Sequence, residues 1–374
     1  MKYYLIAGEA SGDLHGSNLM KALYKQDASA QMRFWGGDLM LAAGGTLVKH
    51  FKDLAFMGFV EVVKNLPTII RNLKFCKADV LAFKPDVLIL IDYPGFNLRI
   101  AEWAKAQGIR VVYYISPQVW AWKEGRVKMM KRCIDQMLVI LPFEQSYYEQ
   151  RWQWPVTYVG HPLVEVVDAF KSNPTNLAVN TNKPIVALLP GSRKQEILKK
   201  LPIMLAVSKH FPEHHFVVAQ APGLDADFYA PLLAPYNNVS SVSGSTYALL
   251  NKATAALVTS GTATLETALF KVPEVVCYKG NPISYAIAKR IITIKFISLV
   301  NLIMDKLVVT ELIQNNLTVT TVQQELHKIL YDQAHVAQVL KDYNTLYNTL
   351  KAGGNASEQA ATAIVSQLTS LAKA

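Results

Sequence analysis

Short apolar runs recur along the chain, each followed by small or turn-forming residues and then by a helix-period stretch. Tyr3–Ala7, Val87–Ile91, Arg110–Ile115, Gln136–Leu141 and Val156–Val159 form one set, and Phe34-Trp35-Gly36-Gly37-Asp38 ends a further strand near its start. The second set is 185–189, 215–220, 239–242, 255–259 and 274–278. Runs this short and this uniformly apolar read as strands buried on both faces. Strands that alternate with helices predict parallel sheets covered on both sides. A helix from Leu163 and a polar linker with Asn173, Pro174, Asn176, Asn180 and Asn182 separate the two sets, and the domain boundary is placed there. The expected domains are 1–165 and 166–350. A tail at 351–374 carries a last helix (355–371) that crosses back to the first domain or to a second chain.

Two stretches break the pattern. Leu54 to Ile70 is apolar with little clean periodicity and is followed by Arg71, Lys74 and Lys77; residues 281–304 mix Ile283, Ile287, Ile291 and Phe296 with Lys289, Arg290 and Lys295. Both read as buried helices or as interfacial surfaces with cations at their edges, and periodicity alone favours the core. A third segment sets Trp120 and Trp122 beside Lys123, Arg126, Lys128, Lys131 and Arg132, as in an interface anchor or a stacking platform.

Composition narrows the classes. Hydrophobic residues make up 51% and charged residues 18% of 374, which excludes global disorder and predicts more than one domain. Cys76, Cys133 and Cys277 are odd in number and far apart, so neither a disulfide framework nor a metal site is expected. The first apolar run stops at Gly8-Glu9, too short for a signal peptide, and no run is long enough for a spanning helix. The net charge of +10 points to an anionic partner. Without a basic run, a zinc-finger spacing or an RNP-like motif, nucleic acid ranks low.

The candidate chemistry lies at strand ends. Ile185–Leu189 stops at Pro190-Gly191, with Ser192 expected as N-cap of a helix from Lys194 to His210. A tight glycine turn at a helix N-terminus aims free N–H groups and the positive dipole end at one spot, where Arg193 adds a fork of donors. A diphosphate cradle and an ordinary strand–helix turn explain this stretch equally well. Ser260-Gly261-Thr262 repeats the device after 255–259, with Glu266 one helical turn on, placed for a ribose or for the helix dipole. Two such turns in one domain suggest a nucleotide diphosphate held without a metal, since no Asp-x-Asp or His cluster is nearby. In the first domain Gly8–Asp13 follows strand one, but its spacing is no nucleotide fingerprint. Asp92 ends the strand Val87–Ile91 as a candidate base or a helix cap. His161 suits a titrating role or a structural one.

Taken in order, Gly8-Glu9-Ala10-Ser11-Gly12-Asp13, Met57-Gly58-Phe59-Val60-Glu61-Val62, Asp92-Tyr93-Pro94-Gly95-Phe96-Asn97, Ser116-Pro117-Gln118-Val119-Trp120-Ala121-Trp122, Leu189-Pro190-Gly191-Ser192-Arg193 and Ser260-Gly261-Thr262-Ala263-Thr264-Leu265-Glu266 resemble the lipid-A-disaccharide synthases across nearly the whole chain. The resemblance implies two Rossmann-like domains with parallel sheets facing across a cleft, the GT-B arrangement. It implies a metal-independent inverting glycosyltransferase without cofactor. The donor would be UDP-2,3-diacylglucosamine and the acceptor 2,3-diacylglucosamine 1-phosphate (lipid X). The products would be a β(1→6) disaccharide 1-phosphate and UDP.

By the family pattern Asp92 matches a catalytic-site Asp, as the base or as the group that orients the acceptor; Glu9, Asp13 and His15 are weaker candidates in the facing loop. Gly191, Ser192, Arg193, Ser260, Gly261, Thr262, Glu266 and Asn301 would surround the donor. Gly95 stands where many members carry a second Asp, and Val300 replaces a usual Pro. Because both substrates carry acyl chains, segments 56–77, 120–132 and 283–297 shift toward peripheral contact with the cytoplasmic face of the inner membrane. A homodimer stays open. The rival readings are another UDP-sugar transferase of this plan, a UDP-N-acetylglucosamine epimerase, and a non-catalytic protein that binds anionic lipid.

Overall fold

The structure, a computed structural model, describes residues 1–54, 66–282, 285, 290 and 294–371. It divides into two compact units, Met1–Pro162 with Leu350–Ala374, and Leu163–Thr349.

The first unit is built on seven parallel strands: β1 (Lys2–Ala7), β2 (Gln31–Gly36), β3 (Thr46–His50), β4 (Val87–Ile91), β5 (Val111–Tyr114), β6 (Gln136–Val139) and β7 (Thr157–Tyr158). Their order is β3-β2-β1-β4-β5-β6-β7. The sheet is covered on both faces, so its central strands carry no polar side: Tyr4, Ile6, Leu88 and Leu90 enter one core, and Tyr3, Leu5, Val87 and Ile89 enter the other. In the central register Ala7 lies beside Ile91, which brings the ends of β1 and β4 together.

The second unit has six parallel strands: β8 (Ile185–Leu189), β9 (His215–Ala219), β10 (Val239–Val242), β11 (Ala253–Thr259), β12 (Glu274–Tyr278) and β13 (Thr310–Ile313). Their order is β10-β9-β8-β11-β12-β13. Val186 and Leu188 pack with Ile197, Leu201 and Met204 of the helix Lys194–Val207. Both sheets thus reverse strand order once, between β1 and β4 and between β8 and β11.

The edge strands β3 and β13 escape the pattern of apolar runs because both are largely half-exposed, so polar residues interrupt them. Arg193, rather than Ser192, is the N-cap of its helix, and no side chain bonds the cap. The final helix, Ala356–Leu371, lies on the first unit: Ala360, Ala361 and Ile364 share a core with Leu19 and Leu23. Gln26 Nε2 donates to Thr362 Oγ1 at 2.8 Å beside it.

Candidate functional site

Open parallel sheets bind ligands beyond the strand ends where the strand order reverses. In the first unit that point lies between Gly8-Glu9, after β1, and Asp92–Gly95, after β4. Asp92 and Tyr93 take the left-handed conformation, at φ 45° and 49°. Their backbone is held from three sides. Asp92 N–H donates to Tyr114 O at 3.0 Å, while Asp92 O accepts from Tyr113 O–H at 2.6 Å and Asn97 Nδ2 at 2.8 Å. Asn97 is fully buried, and its amide also reaches Ile6 O at 3.3 Å and Ile91 O at 3.2 Å, so it ties β1 to β4. The Tyr93 ring lies against Gly8, where a Cβ would stand 2.3 Å from Cδ1, so only glycine allows this approach. Burial pushes the Asp92 carboxyl up to about 6, and the negative charge of Glu9 adds to the rise. Such a carboxylate can take a proton near neutral pH.

The other acidic and imidazole groups differ in use. Asp13 Oδ1 accepts from Gly37 N at 2.7 Å and Met40 N at 3.0 Å, and Oδ2 from Leu39 N at 3.1 Å. It is buried and holds the start of the helix Asp38–Ala43, which removes it from the candidates for proton transfer. His15 is buried, and its Nδ1 has no hydrogen-bond partner among the described residues. Burial lowers His15 to about 4 and His161 to about 3, with the charge of His15 adding to the fall at His161. Both rings are therefore neutral at neutral pH, and His161 does not titrate there.

Next to Tyr93, which lines it, a cavity of about 340 Å³ opens among the helices Leu66–Phe83, Pro94–Ala106 and Val127–Cys133. Its walls are apolar at Ile69, Phe96, Leu98 and Met129, and carry Arg99, Arg126 and Glu102. The helix Leu66–Phe83 exposes Ile70, Arg71, Lys74, Phe75, Ala78 and Leu81, a face where apolar and cationic side chains alternate at helical spacing. The two tryptophans part ways: Trp120 Nε1 donates to buried Glu144 at 3.1 Å, whereas Trp122 is 50% exposed under Lys123 Nζ, 3.9 Å from its ring centre. The motif Met57–Val62 and most of 283–297 lie outside the described residues. No described helix is long and apolar enough to cross a membrane.

In the second unit the reversal point lies between Pro190–Arg193 and Ser260–Thr262. Gly191 sits at φ 117°, and a Cβ there would stand 3.1 Å from Glu196 Oε2 and 3.4 Å from Lys200 Nζ. Arg193 is exposed and donates to Glu196 Oε1 at 3.2 Å. Lys200 is buried, donates to Thr259 Oγ1 and lies 3.8 Å from Glu196 Oε2. Burial lowers its pKa, and the Glu196 charge opposes the fall. In the sequence Lys200 follows Lys199 and looks like a second surface lysine.

Ser260 Oγ donates to Ile297 O at 2.7 Å, which draws the 297–301 segment to this turn. Glu311 holds that segment: its Oε1 accepts from Ser298 N and from Asn301 Nδ2, each at 2.9 Å. Asn301 is fully buried, with Nδ2 also on Val309 O at 2.8 Å and Oδ1 accepting from Val308 N and Val309 N. Its amide is saturated, so it shapes the loop beside the turn. With Val300 present the helix Leu299–Met304 still forms, from a Ser298 cap. Glu266 is half-buried, which raises its pKa, while Tyr247 O–H donates to it at 3.3 Å. No group of three or more metal-binding side chains is gathered among the described residues.

The family model described as lipid-A-disaccharide synthetase matches residues 3–365. A lipid-A-disaccharide synthase of Geobacter metallireducens is 38% identical over 358 residues, 94% of this chain and 93% of that protein. Among solved structures, the glycosyltransferase of kitacinnamycin has a TM-score of 0.69 at 14% identity, with 98% of this chain and 99% of that chain covered. A UDP-GlcNAc 2-epimerase from Neisseria meningitidis, bound to UDP-GlcNAc, has a TM-score of 0.67 at 12% identity, with 99% and 100% covered. Identities that low carry the fold alone, two Rossmann-like units of the GT-B class. The family match along the chain and the identity to the Geobacter protein carry more: this chain belongs to the lipid-A-disaccharide synthases, glycosyltransferases of lipid A biosynthesis.

Proposed function

We propose that the protein transfers 2,3-diacylglucosamine from its UDP derivative to O6 of 2,3-diacylglucosamine 1-phosphate, with inversion at the anomeric carbon. The observation that carries this reading is Asp92, a carboxylate raised to about 6 at a strand-order reversal, on a backbone held from three sides. In the proposed step the acceptor O6 bonds to the anomeric carbon as the bond from that carbon to the UDP oxygen breaks. The O6 proton passes to Asp92, and UDP leaves with the electron pair of the broken bond. Arg193 and the N–H groups after Gly191 and Gly261 receive the diphosphate charge without a metal. Glu266 accepts from the ribose hydroxyls. The cavity lined by Tyr93 offers apolar walls to an acyl chain and Arg99 and Arg126 to the acceptor phosphate.

The test is UDP release from UDP-2,3-diacylglucosamine under excess EDTA, with and without the acceptor. Release that needs the acceptor, survives EDTA and falls at least a hundredfold in Asp92→Ala and Arg193→Ala is the expected result. Release from UDP-N-acetylglucosamine alone would point to an epimerase or hydrolase instead.

The exposed apolar and cationic face of the helix Leu66–Phe83 supports peripheral contact with an anionic membrane surface, read here as the cytoplasmic face of the inner membrane. The double variant Ile70→Ser, Phe75→Ser is expected to lose most of its co-sedimentation with phosphatidylglycerol vesicles and to keep its fold by circular dichroism. Full co-sedimentation of that variant would remove this helix from the contact.

A further inference from the structure

Lys200 has no part in the reading above, yet its ammonium lies against both second-unit turns. Side chains on a helix lean toward its N-terminus, so the Lys200 stem runs back along Lys194–Val207 to the glycine turn. Its ammonium ends beneath Gly191 and on the hydroxyl of Thr259, the last residue of β11 before Ser260. It therefore touches the carboxyl ends of both strands at the reversal point. Lys200 is 2% exposed, whereas its neighbour Lys199 is exposed.

An ammonium held this far from water is costly unless opposite charge is near. The nearest carboxylate is Glu196, 3.8 Å away, and its other oxygen already accepts from Arg193. Glu196 is thus shared by Lys200 and Arg193 beneath the two turns. An anion on the outer side of the turns brings further opposite charge toward the Lys200 ammonium.

We propose that Lys200 is a positioning residue for the donor diphosphate: its ammonium joins the turn after β8 to the turn after β11 and keeps a positive charge beneath both. This rests on the donor reading given above. A residue retained for fold stability and one retained for an anion respond oppositely to removal of the charge. Lys200→Met relieves a buried charge, so the ligand-free protein is expected to unfold at the same or a higher temperature. The same variant is expected to bind UDP about tenfold or more weakly by calorimetry and to raise the donor KM, with the acceptor KM unchanged. Lys200→Gln, which keeps a donor for Thr259 without charge, is expected to lose UDP affinity to the same extent. Lys199→Met is the control and is expected to bind UDP like wild type.

UDP affinity within twofold of wild type in Lys200→Met overturns the proposal, as does restored affinity in Lys200→Gln. Lower thermal stability without UDP, combined with an unchanged donor KM, also overturns it and leaves Lys200 a packing residue. Failure of the wild-type protein to bind UDP in the same titration removes the donor reading itself, and the inference falls with it.

Discussion

Asp92 is kept at a cost in stability. Its left-handed backbone is unfavourable for a residue with a Cβ, and its carboxylate is partly withdrawn from water. A carboxyl raised from its ordinary value near 4 to about 6 makes the folded state less stable above pH 6, and this cost disappears as the pH falls from 6 to 4. Asp92→Asn removes the charge and suits the left-handed region. It is expected to be inactive yet about 2 kcal/mol more stable at pH 7.5, with the gain fading toward pH 4 in urea titrations. In the active protein kcat/KM is expected to rise with pH through about 6. Glu9→Gln is expected to move that limb to lower pH, because the Glu9 charge helps raise Asp92. A limb that stays in place would detach the two carboxylates. Asp92 was legible in the sequence because a continuous apolar strand delivers it. Asp13 was not, since the N–H groups it binds lie more than twenty positions away in the chain. Lys200 was not either, for burial does not follow from residue type.

Local chain chemistry set most of the elements. Fully buried strands have no polar side, so β1, β4 and β8 stand out as unbroken apolar runs, while half-exposed β3 and β13 do not. With β13 unread, Glu311 had no assigned place, and the loop it shapes with Asn301 was invisible. The helix Pro94–Ala106 carries a testable vacancy. Gly95 lies in its first turn, and a Cβ there meets nothing within 4 Å. Gly95→Asp replaces a poor helix former and puts negative charge at the helix N-terminus. It is expected to stabilise the fold by about 0.5–1 kcal/mol in thermal unfolding at pH 7.5. The added carboxylate is also expected to shift the acid limb of kcat/KM upward, by raising Asp92 further. Destabilisation by this variant would mean that the turn cannot accept a side chain.

At the scale of the molecule, two chain crossings join the units, at Pro162/Leu163 and at Thr349/Leu350. The pattern of the last helix shows which face is apolar but not what that face meets, so its partner was not legible. The structure places it on the helix Ala10–Gln26. Removal of residues 352–374 uncovers the core around Leu19 and Leu23. It is expected to destabilise the first unit by several kcal/mol and to spare the second. Hydrogen exchange should then quicken in Ala10–Gln26 and stay slow in β8 and β11; equal quickening in both would show that the units unfold together. The same return of the chain sets an order for folding during synthesis. Leu163–Thr349 is complete on the ribosome before residues 356–371 exist. The first-made half waits about 10–40 s at ordinary elongation rates, with the apolar side of Ala10–Gln26 uncovered. For this protein the N-terminal unit is the last to close, and that interval is when a chaperone has most to shield.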